Sequence, residues 1–241
     1  MRLYGELAPW YPLITAAEDY AEEADHVLRL IEAARDGEAE TLLELGAGPG
    51  HLASHLKARL RCTLTDLSED MLALSRDQNP ECAHLRADMR QLDLGRHFDV
   101  VLVQDAIAYM TSEADLRATI TTVAAQLRPG GLALLIPDDI KDDFAPATRC
   151  GGRDAPDGRS LRYLEWGHDP DPADDTIQID YALLLREPGR PLRLEQETHL
   201  AGLFARATWL RLLRAAGLEP LDIRVPDPYA GEHTVFVARK A

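Results

Sequence analysis

The sequence predicts an α/β fold, a mainly parallel sheet with helices on both faces. Three observations point to it. Short runs with apolar centres, such as TLLEL (41–45), FDVVLVQD (98–105) and LALLIPDD (132–139), alternate with helical patterns, as strands buried on both faces do. A helical face of Leu116, Ile120, Val123, Ala124 and Leu127 opens at Ser112 and stops at Pro129-Gly130-Gly131, a strong terminator. The first strand runs straight into glycines at every second position, LLELGAGPGHL (42–52). Glycine at that density marks a backbone that turns tightly and is closely approached.

In chain order, residues 17–33 carry Tyr20, Ala24, Val27, Leu28 and Ile31 at helical spacing, with acids in the first turn where the helix dipole favours them. After the glycines, 51–60 reads as a helix, 61–66 as a second strand, and 68–78 as a helix with Ser68 as N-cap. Residues 82–88 give a third strand, 98–105 a fourth and 132–139 a fifth. Residues 140–160 are polar and broken, and read as a mobile loop. TIQIDYALLLR (176–186) then alternates strictly, with Ile177, Ile179, Tyr181, Leu183 and Leu185 on one face, and 192–204 is a further strand. Trp209, Leu212, Leu213 and Ala216 mark a helix ending at Gly217, and 218–225 and 234–240 close the sheet. The expected organisation is a helical cap (1–37), a ligand-binding core (38–139), an antiparallel insertion that forms a lid over the site (140–205) and a C-terminal helix and strands (206–241) completing the core sheet.

The chain has 241 residues, 46% of them hydrophobic, and a formal net charge of −15. So acidic a surface disfavours nucleic acid and anionic membrane as partners. Cys62, Cys82 and Cys150 form no C-x-x-C pair, which fits a reducing cytoplasm and neither a disulfide framework nor a zinc site. Glu6, Pro9 and Pro12 interrupt any signal-peptide core. His51 and His55 share a helix face and read as solvated rather than metal-binding; Asp138, Asp139, Asp142 and Asp143 read as an exposed acidic loop. No metal is expected.

The glycines discriminate between ligands. A dinucleotide-binding G-x-G-x-x-G would put its third glycine at position 51, which is His51; the glycine comes one residue early, at Gly50. No Gly-Lys-Ser/Thr follows, so a P-loop is absent. E-x-G-x-G-x-G after an apolar strand resembles motif I of the class I S-adenosylmethionine methyltransferases. Asp66 at the end of the second strand, "ADM" (87–89) and "LRPGG" (127–131) resemble further motifs of that family. The resemblance implies a Rossmann-like seven-stranded sheet with an antiparallel insertion before the last helix. It implies S-adenosylmethionine as cofactor, with Gly46, Ala47 and Gly48 against its tail and ribose, Glu44 near its ammonium and Asp66 on the ribose hydroxyls. Asp88 would take the adenine amino group, Leu67, Met71 and Met89 would border the adenine, and main-chain groups of Val103 and Gln104 would close over the tail. The flanks, 4–24 and 198–218, are similar to the ends of bacterial amino-sugar N,N-dimethyltransferases. That implies a small-molecule amine acceptor beside an N-terminal tyrosine, Tyr11 or Tyr4; Tyr11 is the catalytic candidate. Asp138 and His199 are other candidate bases. The oligomeric expectation is monomer or homodimer. The competing readings are a NAD(P)-dependent oxidoreductase and a non-catalytic S-adenosylmethionine-binding regulatory domain.

Overall fold

The computed structural model describes residues 1–35, 37–223, 225 and 234–241. Two 3-10 segments, Ala8–Leu13 and Ala17–Tyr20, lead into helix α1 (Ala21–Ala34). Strand β1 (Thr41–Leu45), the glycine turn, α2 (Ala53–Leu56), β2 (Arg61–Asp66), α3 (Glu69–Gln78), β3 (Ala83–Arg86) and β4 (Phe98–Gln104) follow. Then come a 3-10 turn (Ala106–Tyr109), α4 (Glu113–Gln126) and β5 (Leu127–Ile136). Strands β6 (Ala147–Gly151), β7 (Ser160–His168), β8 (Thr176–Arg186) and β9 (Arg193–Gly202) are consecutive, and α5 (Arg206–Ala215), β10 (Leu218–Pro220) and β11 (Phe236–Lys240) end the fold.

The main sheet has seven strands in the order β10-β11-β5-β4-β1-β2-β3. Strands β1 to β5 pair in parallel, whereas β11 pairs antiparallel with β5 and with β10. The strand order reverses between β1 and β4, where α/β sheets hold ligands beyond the strand ends. All of β4 is buried, as its apolar centre, residues 100–103, requires. One face of the sheet packs Leu43, Val101 and Leu135 against α4 and α5; the other packs Leu42, Leu102 and Leu134 with Val27 and Ile31 of α1. Ser68 and Ser112 cap α3 and α4, accepting from Met71 N and Asp115 N.

A separate four-stranded sheet, β6-β7-β8-β9, is wholly antiparallel. The alternating face of β8 is divided. Leu183 and Leu185 bury against Leu3, Leu7, Trp10 and Leu13. Ile177 and Ile179 meet Ala108 and Leu203. The face therefore holds the N-terminal segment and the loop after β4.

Three local expectations change. The helix over 51–60 shrinks to Ala53–Leu56, because Gly50 and the turns on either side leave room for one helical turn. Helix α4 ends at Gln126, and Leu127 to Gly131 already belong to β5. The loop expected over 140–160 contains β6 and meets β7. Strand β6 is an edge strand with no apolar face, exposed throughout except at Gly151, so its ladder with β7 holds it and hydropathy cannot reveal it.

Candidate active site

Each glycine of the turn has a different reason to be glycine. All three have positive φ, +75° at Gly46, +54° at Gly48 and +74° at Gly50, a region costly for side chains with a Cβ. A Cβ on Gly46 would stand 2.3 Å from Ala106 Cβ, in the turn after β4. A Cβ on Gly50 would stand 2.3 Å from Ser75 Oγ and 2.4 Å from Asn79 Nδ2 on α3. These two let neighbouring elements close in. At Gly48 only Met71 Cε comes near, at 3.7 Å; its side-chain direction is open, as a ligand-facing position needs.

Asp66 holds this loop in place. Its Oδ2 accepts from Gly48 N at 2.9 Å and its Oδ1 from Ser68 N at 2.7 Å. Burial pushes its carboxyl above the ordinary value, with those amides pulling it back. Ser68 Oγ in turn donates to Tyr4 O, so the acid's turn also anchors the N-terminal segment. Leu67 beside it is 60% exposed, an apolar side chain left open at the lip. Met71 is buried beneath Gly48, and Met89 Cε reaches to 3.0 Å from where a Gly46 Cβ would be. Asp88 is gripped by Arg90, whose Nη2 lies 2.7 Å from Oδ2 and whose Nε lies 3.0 Å from Oδ1. Val103 is fully buried in the sheet and can present only main chain.

Glu44 is 4% exposed and its Oε2 has no hydrogen-bond partner. Burial first, then the neighbouring acids Asp66 and Glu23, push its carboxyl up to about 8. Gln104 Oε1 is likewise buried without a partner. Unmatched buried acceptors of this kind require an explanation, and a bound ammonium supplies one. The open direction at Gly48, the exposed Leu67 and the orphaned Glu44 oxygen together fit an S-adenosylmethionine molecule with its amino-acid tail on the glycine turn.

The residue after β4, Asp105, has φ +48°, the one positive φ outside glycine among the described residues. Strain of this sort concentrates at working sites. Burial and then Asp138 hold its carboxyl well above the usual range. Asp138, two residues beyond β5, is solvent-exposed, yet the crowding of protein around it, Asp139 and Glu165 push it up to about 7. Sequence reasoning passed over Asp105, although its place at the carboxyl end of the central strand was signal enough.

Within electrostatic reach of these acids are four tyrosines. Tyr4 lies 5.9 Å from Tyr11 and 5.7 Å from Tyr109, between ring centroids, and Tyr181 of β8 packs on His199 at 4.9 Å. Burial raises all four phenols above their ordinary pKa. Tyr109 carries no sequence signal of its own; only the turn after β4 brings it here. His199, expected as a possible base, is fully buried on β9.

The solvated reading of His51 and His55 is corrected. His51 is buried, with Nδ1 at 3.0 Å from Gln78 Oε1 and Nε2 at 3.2 Å from Thr15 O; His55 Nε2 is 2.8 Å from Ala17 O. Both pin the N-terminal segment to the core. The acidic cluster after β5 is divided too, since Asp142 Oδ2 accepts from Arg206 N at the start of α5. Among the described residues, no three His, Cys, Asp or Glu are grouped to hold a metal, and no helix is long and apolar enough to cross a membrane.

Comparison with known proteins agrees with this geometry. The methyltransferase-domain family profile matches residues 42–131. The chain is 30% identical over 203 residues, 83% of its length and 84% of the relative's, to a dTDP-3-amino-3,4,6-trideoxy-α-D-glucopyranose N,N-dimethyltransferase of Streptomyces venezuelae. Among solved structures it resembles Streptomyces venezuelae DesVI (TM-score 0.83, 26% identity, 97% and 98% of the two chains). It also resembles S-adenosylmethionine-bound CalS10, an amino pentose methyltransferase of Micromonospora echinaspora (TM-score 0.77, 26% identity, 92% of each chain).

Proposed function

The chain belongs to the class I S-adenosylmethionine-dependent methyltransferases acting on small molecules, and we propose that its acceptor is the amine of a nucleotide-linked amino sugar. The observation that carries this reading is that two acids, Asp105 and Asp138, lie within electrostatic reach of the tyrosines Tyr4, Tyr11, Tyr109 and Tyr181. Carboxylates and ring faces both favour a cation, and an amino sugar arrives largely as its ammonium. The amino sugars for which the relatives are named are of that class.

The bound cofactor supplies a methyl group on a positively charged sulfur. This chain's residues do the rest. Glu44, Gly48 and Asp66 hold and orient the donor, with Leu67, Met71 and Met89 around its base. Asp88 takes the adenine amino group if Arg90 yields one carboxylate oxygen. Main-chain groups of Val103 and Gln104 close over the tail. Tyr11 and the 140–205 segment would border the acceptor and orient its nitrogen towards the donor; catalysis is mostly positioning. The three cysteines are unpaired, in keeping with a cytoplasmic setting.

The test is incubation of the protein with S-adenosylmethionine and dTDP-3-amino-3,4,6-trideoxy-α-D-glucopyranose, followed by mass spectrometry. Mono- and dimethylated sugar nucleotide is the expected result. Tight cofactor binding without any methylated product would overturn the acceptor assignment.

A further inference from the structure

An ammonium acceptor, as proposed above, must lose a proton before its nitrogen can attack, and Asp138 is solvent-exposed just beyond β5. A chain of groups does lead out of the aromatic wall. Tyr4 Oη and Tyr109 Oη are 2.5 Å apart. Tyr109 Oη is 2.9 Å from His199 Nδ1. His199 Nε2 is 3.1 Å from Glu197 Oε1, an ion-pair distance whose angle falls short of a good hydrogen bond. The imidazole is fully buried, whereas the Glu197 side chain is 12% exposed.

We propose that Tyr4, Tyr109, His199 and Glu197 form a proton exit that takes the acceptor amine's proton from the cleft towards the surface. This rests on the amine reading of the site. Tyr4 and Tyr109 are each within hydrogen-bond distance of the next group, and His199 Nε2 has Glu197 as its nearest acid. Glu197 is already oriented, its Oε1 accepting from Arg2 N at 2.7 Å and its Oε2 from Leu3 N at 2.8 Å. A carboxylate so placed favours the imidazole tautomer with hydrogen on Nε2. Nδ1 is then the acceptor, Tyr109 donates to it, and Tyr4 donates to Tyr109. That leaves lone pairs on Tyr4 Oη free to accept from the substrate ammonium.

In the transfer the N–H bond of the ammonium breaks and Tyr4 Oη takes that proton. Tyr4 passes its own hydroxyl proton to Tyr109, and Tyr109 passes its own to His199 Nδ1. The electron pair of the broken bond stays on nitrogen and becomes the nucleophile. The imidazolium formed faces Glu197, through which the proton reaches solvent.

The surroundings suit this role. His199 is faced by Tyr4 and the N-terminal ammonium from the N-terminal segment, Tyr109 from the turn after β4, Glu165 from β7, Tyr181 from β8 and Glu197 on its own strand. Burial, and more weakly the terminal ammonium, lower its pKa, while Glu197 and Glu165 raise it. The net lowering leaves it neutral, able to accept, at pH 7. The phenols are held protonated by burial, so they pass protons along and do not act as standing phenolate bases.

Two measurements decide it. In the cofactor-loaded protein, nitrogen NMR of His199 is expected to show an unprotonated Nδ1 and a hydrogen on Nε2; hydrogen on Nδ1 would overturn the direction of the chain and with it the exit. With the sugar nucleotide above, Tyr109→Phe and His199→Gln are expected to lower kcat by about 10²-fold, in the range of general acid–base assistance, with KM and cofactor affinity within about threefold. Tyr109→Phe keeps the ring, so it separates proton passage from packing. The deficit should close as pH rises past the amine's own pKa, where no proton remains to be removed. Variants that keep wild-type kcat, or that lose it equally at every pH, would overturn the proposal. Failure of the wild type to methylate the sugar nucleotide is a failure of the acceptor reading, seen before any variant is compared, and the tautomer measurement still decides the exit.

Discussion

On one wall of the cleft the chain withholds side chains: Gly46, Gly48 and Gly50 bring main chain close to the donor. On the other it crowds them in, with Tyr4, Tyr11, Tyr109 and Tyr181 drawn from three separate stretches of the sequence. The donor wall is built from one continuous turn at a strand end and tolerates almost no change of backbone. The acceptor wall is held by a second sheet whose apolar face grips the N-terminal segment. A wall of backbone suits a ligand of constant shape, and a wall of replaceable side chains suits one that varies.

Substitutions should separate the two walls by kind of damage. Gly50→Val, with positive φ and a Cβ at 2.3 Å from Ser75 Oγ, should cost roughly 3–5 kcal/mol of stability, the range of backbone strain combined with overpacking. Thermal unfolding measures it. Gly48→Val should cost only about 1–2 kcal/mol, the strain of the left-handed region, yet abolish cofactor binding in calorimetry. A folded Gly48→Val protein that still binds S-adenosylmethionine would mean that this wall does not face the donor.

Leu183→Ala, in the buried grip on the N-terminal segment, should cost about 2–4 kcal/mol. It should raise acceptor KM while leaving cofactor affinity unchanged. An equal loss of both would show that the walls are one unit, coupled through Ser68 and Tyr4.

Glu44→Gln should weaken S-adenosylmethionine by about 2 kcal/mol, roughly thirtyfold, through loss of a charged hydrogen bond. Its pH signature is distinctive. Because the folded-state pKa is raised to about 8, ionising Glu44 disfavours the folded cofactor-free protein. Stability on this account falls as pH rises from the ordinary Glu value towards 8. Cofactor binding should release a proton over that window, visible as a buffer-dependent binding enthalpy, and Glu44→Gln should remove both effects. Asp66→Ala should weaken the cofactor at least tenfold, since it loses the ribose partner and the lock on Gly48 N together. A smaller change would mean that Asp66 serves the loop alone.

Much of the donor wall was legible in the chain. Strand β1, the glycines, Asp66 and the Ser68 cap are local: each is fixed by neighbours within a few positions, and hydrophobic period, turn chemistry and capping report local constraints directly. The second sheet was half legible. Strand β8 announces itself by alternation, but β6 is polar and exposed, held only by its ladder to β7, and no local pattern records a partner strand. His51 and His55 show the same limit. Their spacing said that they share a face, but not that Thr15 and Ala17 would lie on it.

By itself, then, the sequence determined the α/β class, the order of the core strands and a turn that only glycine can make, because those follow from residue-by-residue conformational cost and burial. Tertiary structure alone decided which tyrosines lie within reach of the acids, that His199 meets Tyr109 ninety positions away, and that Glu44 lies buried without a partner. These depend on contacts between distant segments, whose energies appear only when the two sheets and the N-terminal segment have packed.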